Sequence, residues 1–333
     1  MPGPRLGTMA QRMLFIGGNG TISSAVSALA VERGVDLTLL NRGTSTSRPP
    51  LEGTRHLVGD ASDSDSVRSA VGKLEFDVVV NFRSFLPSQV EADVDIFTGK
   101  AGQYVYISSA SAYQKPVARL PITESTPLRN PFWEYSRNKI ASEDILVAAY
   151  RQHGFPMTIV RPSHTYDMRS MPFDGGWTII DRMRRGKPIV VAGDGTSLWV
   201  LTHHQDFARA FIELLGNQQT IGDAFHITSD EVLTWNDIAR TLARAAGVEA
   251  DIVHVASETI AEAIPPWGPY LIGDKANSVI FDNSKIKAIA PGWRATTPFW
   301  RGAQQIIEWH DEDPARRAVD PALDATLDGL ARR

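Results

Sequence analysis

From residue 13 to residue 160 short apolar runs alternate with stretches of helical spacing. The runs at 13–16, 35–40, 56–58, 76–80, 104–107 and 157–160 read as strands, several of them apolar at every position. The stretches at 21–33, 67–71, 87–97 and 133–152 read as helices. In the first of these Ile22, Val26, Leu29 and Ala30 fall on one face, with Gly34 placed to close it. Strands that alternate with helices require a parallel sheet covered on both faces, an α/β doubly wound fold. Beyond Arg161 the rhythm breaks at Pro162, Pro172, Gly175, Gly176, Gly186, Pro188, Gly193 and Gly195. Helices are expected there at 177–185, 206–215 and 235–246, with one strand at 224–227 returning to the sheet.

This pattern predicts a sheet domain over 13–165 and a smaller mixed lobe over 166–310. A disordered leader is expected over 1–12 and a charged, alanine-rich tail over 311–333, as a surface helix or an interface arm. A chain of 333 residues fits about two lobes at ~150 residues each. The net charge of −4 supplies no basic field, so no nucleic-acid partner is expected. The chain has no cysteine, which excludes disulfides, thiol catalysis, cysteine-ligated zinc and iron–sulfur clusters. No apolar run approaches the ~18 residues of a membrane span, and residues 1–12 lack a signal-like apolar core. A cytoplasmic protein without membrane contact is therefore expected.

Gly17-Gly18-Asn19-Gly20-Thr21-Ile22-Ser23 joins the first strand to the first helix. Gly17 permits a tight turn, and Gly20 lets the backbone approach a pyrophosphate resting on the helix N-terminus. Ser23 stands where such loops carry a third glycine. The acidic residue expected about 20 residues further on is replaced by Asn41-Arg42. Asn41 can bond a ribose hydroxyl or start a turn before Gly43. Arg42 can pair with a 2′-phosphate, which leans the cofactor toward NADP over NAD, or lie in solvent.

Tyr135 and Lys139 open the long helix four residues apart, on one face. A tyrosine titrating near ~10 is a poor base at neutral pH, and a neighbouring ammonium lowers that value. Upstream, the strand at 104–107 runs into Ser108-Ser109-Ala110-Ser111, which places Ser109 at the strand's C-terminal edge beside the crevice.

With these residues the sequence resembles the extended short-chain dehydrogenases/reductases of the NAD-dependent epimerase/dehydratase family. The resemblance rests on Gly17-Gly18-Asn19-Gly20, Gly59-Asp60, Ser108-Ser109, Tyr135 to Lys139, Arg161-Pro162 and Gly193-Asp194-Gly195. It implies a Rossmann sheet holding NAD or NADP, with Ser109 orienting a substrate oxygen and Tyr135 as acid/base. Lys139 would hold the nicotinamide ribose and tune Tyr135. Gly17, Gly20, Thr21, Ile22, Asn41, Arg42, Asp60, Ala61, Phe82, Arg83, Pro162 and Ser163 would complete the cofactor site, and Ser111, His164 and Trp199 would face substrate.

The departures bear on substrate. Ala110-Ser111 stands where family dehydratases carry Asp-Glu, which disfavours 4,6-dehydration; the glutamate of decarboxylating members is missing too. Trp199 occupies the position of an arginine that grips a nucleotide diphosphate, so the substrate either lacks that group or is held by other arginines, with Arg294 and Arg301 in reserve. Trp133, Trp177, Trp199 and Trp267 offer faces for a sugar or an apolar ring, although core packing is the commoner role of such residues. His203, His204 and Asp206 fit no standard metal spacing, and Asp206 suits a helix start; no metal is expected. The expected function is a sugar epimerase working by hydride transfer, the alternatives being an NADPH-dependent carbonyl reductase and a non-enzymatic RNA- or partner-binding relative. A homodimer acting on a small sugar-like molecule is expected.

Overall fold

The computed structural model describes residues 10–43, 48 and 51–332. The leader expected to be disordered lies, through residue 9, outside the described residues; the first strand begins at Arg12. Six strands, β1 (Arg12–Ile16), β2 (Asp36–Asn41), β3 (Arg55–Val58), β4 (Phe76–Asn81), β5 (Ala101–Ile107) and β6 (Met157–Pro162), pair in parallel. A seventh, β7 (Asp223–Ile227), returns to the edge beside β6, giving the order β7-β6-β5-β4-β1-β2-β3. Connections leave β1 toward β2 on one side and resume at β4 on the other. That reversal of strand order marks the switch point where open α/β sheets bind ligands, at the strands' C-terminal ends.

Met13, Leu14, Phe15 and Ile16 are all buried, which is why β1 reads as a continuous apolar run rather than an alternation. The helices α1 (Thr21–Glu32), α2 (Ser64–Val71), α3 (Pro87–Phe97) and α4 (Glu134–His153) follow the expected spans closely. Two boundaries differ for identifiable reasons. α2 starts three residues before the expected position, because the Asp63 carboxylate caps the amides of Asp65 and Ser66. β5 starts at Ala101 rather than 104, where Gly102 and Gln103 hide it from an apolar pattern. A Cβ on Gly102 would lie 2.8 Å from the Asp77 carbonyl, so only glycine fits there. Gln103, fully buried, donates to Thr158, Thr220 and the Leu214 carbonyl and accepts from the Gly216 amide.

Residues partition into two compact units. Among the described residues, the first comprises those of 10–108, 141–160 and 211–224, and the second 109–140, 161–210 and 225–332. The chain thus passes between them repeatedly, whereas the periodicity suggested a change near 165 and one return to the sheet at 224–227. Periodicity follows the order of elements along the chain, not the side-chain contacts that assign each segment to a core.

The second unit has its own core, in which Trp177, Trp199, Trp235, Phe299 and Ile306 are buried. Around it pack α5 (Trp177–Arg184), α6 (Trp235–Ala245), α7 (Phe299–Asp311) and α8 (Pro321–Ala331). The helix expected at 206–215 runs instead over His204–Phe211 and tightens into a 3-10 turn at Ile212–Leu214. α8 is part of the core: Leu327 and Leu330 are buried. Its Asp324 and Asp328 hold the guanidinium of Arg182, which has no exposed surface, at 2.5 and 2.8 Å.

Burial opposes ionisation of Asp324, but bonds from Arg182, Lys187 and Arg185 outweigh it and hold its pKa at about 2. A carboxylate lowered this way contributes stability above its unfolded value, near ~3.9, and loses it as pH falls toward the folded value. Replacing both Asp324 and Asp328 by Asn leaves a buried, unpaired guanidinium, at a cost of about 3–5 kcal/mol. Thermal melts across the acid range should show a lower midpoint at neutral pH and a shallower acid decline than in the unmodified chain. Equal curves for the two proteins contradict the α8 anchor.

Candidate active site

In the first unit, the turn from β1 to α1 places Gly17 at φ +85°, a conformation that favours glycine. The Arg83 side chain lies against it, so that a Cβ on Gly17 would come within 2.2 Å of Arg83 Cγ. Ser23, in the place of a third glycine, clips the loop: its hydroxyl donates to the Gly17 carbonyl at 2.8 Å and accepts the Gly20 amide at 2.7 Å. Ser27, one turn further along α1, donates to the Gly18 carbonyl at 3.3 Å. Gly20 offers the helix N-terminus no side-chain cap, and Thr21 and Ile22 follow it half-buried. A backbone held this close, with uncapped amides at a helix start, fits a dinucleotide pyrophosphate.

The neighbouring strand ends supply the other expected cofactor residues of this unit. Asn41 accepts the Gly43 amide at 2.9 Å through its side-chain oxygen, so it does start a turn. Arg42 is exposed at the end of β2. Asp60 accepts from the Ser62 hydroxyl and amide at 2.7 and 2.9 Å; these bonds, aided by Arg42 and Arg83, hold its carboxyl below the ordinary range. Ala61 lies beside it, half-buried. Phe82 packs between Phe15 and Phe211 at centroid distances of 5.6 and 6.0 Å. The loop after β4 is fixed by Asn81, which accepts the amides of Arg83 and Ser84. Beneath it Asp93 takes hydrogen bonds from Tyr104, Ser84 and Asn81, and its burial raises its pKa to about 6.

In the second unit, Ser109, Ser111, Tyr135, Pro162, Ser163, His164 and Trp199 all line one cavity of about 400 Å³. Ser109 and Tyr135 hydrogen-bond each other. Lys139, one helical turn from Tyr135 and buried, places its ammonium 5.7 Å from the phenol ring centroid. The phenol is nonetheless held above its ordinary pKa, not lowered as the spacing suggested. Burial is the main cause; the Ser109 bond opposes it, and the Asp274 carboxylate adds to it. Ser109 Oγ lies 2.9 Å from Ser111 Oγ, which accepts from Ser136 at 2.8 Å, so a chain of hydroxyls runs from Tyr135 back into α4. Asn130 ties the Ser111 and Gly273 carbonyls together at 2.9 and 2.8 Å.

Trp199 is 3% exposed and belongs to the core as well as to the cavity wall. Its indole N–H donates to His164 Nδ1 at 3.1 Å. Burial, reinforced by the Lys275 ammonium, lowers the His164 pKa to about 3. The imidazole is therefore neutral at pH 7, and with Nδ1 accepting, its proton sits on Nε2. Ser163 donates to the Val200 carbonyl at 3.2 Å. The reserve arginines Arg294 and Arg301 are both exposed, and neither lines the cavity. The Asp206 carboxylate is taken up by the amides of Thr296 and Thr297 and by Arg209, while His203 bonds Gln305.

Four polar cavity residues escaped the sequence reading: Asp174, Tyr270, Asp274 and Lys275. Lys275 reaches both carboxylate oxygens of Asp174 at 2.6 and 2.7 Å, and Tyr270 hydrogen-bonds Asp174. Asp274 pairs with Lys115, a lysine with no exposed surface, at 2.9 Å. Asp174 and Lys275 stand about a hundred residues apart and follow no motif. The one available signal was an adjacent acid and base, Asp274-Lys275, ending an otherwise uncharged stretch.

Residues 13–228 match the NAD dependent epimerase/dehydratase family. Among curated proteins, the chain is 30% identical over 257 residues to a chloroplast stem-loop binding protein of 41 kDa from Arabidopsis thaliana, covering 73% of this chain and 66% of that protein. It is 26% identical over 289 residues to 2'-dehydrokanamycin reductase from Streptomyces kanamyceticus, covering 85% and 80%. Among solved structures, UDP-glucose 4-epimerase from Bifidobacterium longum in complex with NAD+ and UDP superposes with a TM-score of 0.72 at 17% identity, covering 91% of this chain and 99% of that one. With its family match spanning well over half of the sequence, the chain belongs to the NAD dependent epimerase/dehydratase family.

Proposed function

We propose that the protein is a nicotinamide-dependent epimerase or oxidoreductase acting at a hydroxyl- or keto-bearing carbon of a sugar or sugar-derived molecule, with Ser109, Tyr135 and Lys139 as its centre. The observation that carries this reading is the Ser109–Tyr135 hydrogen bond on the wall of a cavity, with the Lys139 ammonium beside the same ring. A bound nicotinamide supplies or accepts the hydride. Tyr135 moves the proton at the substrate oxygen, and Ser109 orients that oxygen. The positive charge of Lys139 stabilises the phenolate left when Tyr135 gives up its proton. In an epimerase, the hydroxyl carbon is oxidised, the ketone turns in the cavity, and its other face is reduced.

A second reading, a carbonyl reductase with the same residues, is favoured by the similarity to 2'-dehydrokanamycin reductase. In it the phenol of Tyr135 gives its proton to the carbonyl oxygen as hydride arrives. The similarity to a stem-loop binding protein keeps RNA binding as a reading of another class, against which stands the net charge of −4.

For the cofactor, Arg42 at the end of β2 supports NADP over NAD, since no carboxylate at that strand end repels a 2′-phosphate. Arg42→Ala should weaken NADP(H) by a much larger factor than NAD(H) in fluorescence titrations. Equal weakening of both, or none, places Arg42 in solvent. Tyr135→Phe keeps the ring and removes the proton. It should lower turnover by at least ~100-fold, the usual scale for a general acid–base, with cofactor affinity largely kept. Unchanged steady-state turnover eliminates Tyr135 as the proton donor.

A further inference from the structure

Every charged side chain lining the catalytic cavity already has an opposite charge of its own. Among the described residues, the lining contains two carboxylates, Asp174 and Asp274, one ammonium, Lys275, and no arginine. Lys275 is committed to both oxygens of Asp174 at 2.6 and 2.7 Å. Its ammonium also lies 4.9 Å from the Trp235 ring centroid and 4.8 Å from that of Tyr270, so two aromatic faces hold it in place. Asp274 is paired with buried Lys115 at 2.9 Å.

A diphosphate entering this cavity would meet two carboxylates. The one lining cation could reach it only by abandoning Asp174, which would leave a partly buried carboxylate short of its partner. An ammonium on the substrate would find no unpaired carboxylate either. What the walls do offer suits hydroxyl groups. Ser109, Ser111 and Ser163 present hydroxyls, and His164 is a neutral donor through Nε2 because Trp199 occupies Nδ1. Trp133, Tyr270 and Phe281 add ring surface of the kind that packs on sugar C–H faces.

On the reading of Ser109, Tyr135 and Lys139 given above, we propose that the substrate is an uncharged, hydroxyl-rich glycoside or polyol without phosphate. The Asp174–Lys275 pair then acts as the specificity element that excludes nucleotide-linked sugars.

The test is a calorimetric titration of the full chain, saturated with NADP+ to fill the dinucleotide site, with UDP, GDP and dTDP. It is run on the unmodified protein, on Asp174→Asn and on Lys275→Met. The unmodified protein should bind none of the three below millimolar concentration. Asp174→Asn frees the lysine and should raise affinity for at least one diphosphate tenfold or more, while Lys275→Met should not. Micromolar binding by the unmodified chain overturns the proposal. So does an Asp174→Asn protein that melts like the parent yet gains no affinity. If Asp174→Asn does not fold, the result on the unmodified chain and on Lys275→Met still decides: binding by the former that the latter loses means that Lys275 grips diphosphates. The titration reads binding alone, so its outcome is separate from the fate of Tyr135→Phe, which reports on proton transfer.

Discussion

A parallel sheet cannot leave a face open to water, because its crossover connections place helices on both sides. That constraint shapes the first unit. It forces strands such as β1 to be apolar at every position, and it sends all loops that follow strands to one edge. The glycine turn after β1, the Asn41-Arg42 end of β2, Asp60 after β3 and the Asn81-anchored loop after β4 therefore gather at the C-terminal ends of neighbouring strands. Polar anchors hold them there: Ser23 and Ser27 clip the glycine loop from α1, and Asp93, Ser84 and Asn81 brace the loop after β4.

In the second unit the governing balance is between burial and charge pairing. Tyr135 loses water, which favours the neutral phenol, and Ser109 returns part of that loss as a hydrogen bond. Asp274 would oppose the phenolate further were its charge not shared with Lys115. The same balance fixes the neutral tautomer of His164 through Trp199. Asp174 is paired with Lys275, and Asp274 with the buried Lys115 behind the wall, so both carboxylates of the cavity lining meet an opposite charge.

What the sequence revealed follows the range of each interaction. The glycine loop and the Tyr135–Lys139 spacing are local patterns, legible because strand, turn and helix follow one another within a few residues. Ser109 was legible because it follows closely on the C-terminal end of a strand. Ser136 sits inside the Tyr135–Lys139 segment but looks like any serine in a first helical turn, and only the fold shows it bonded to Ser111. Gln103 reads as a break in a strand, although its three donor contacts lie between 55 and 117 residues away. Asp174 and Lys275 meet across 101 residues, so no window of sequence could pair them. The place of Trp199 was readable from Gly193-Asp194-Gly195, but its bond to His164 was not.

The central claim is that Tyr135 transfers a proton in step with hydride transfer at a substrate carbon. Deuterium placed at the transferable position of the reduced nicotinamide tests this most directly. The full chain is incubated with neutral keto-glycosides and with nucleotide-linked keto-sugars, and the products are analysed by mass spectrometry and NMR. The account predicts deuterium on the carbinol carbon of a neutral product. No transfer to any substrate, together with tight binding of a structured RNA, would contradict it.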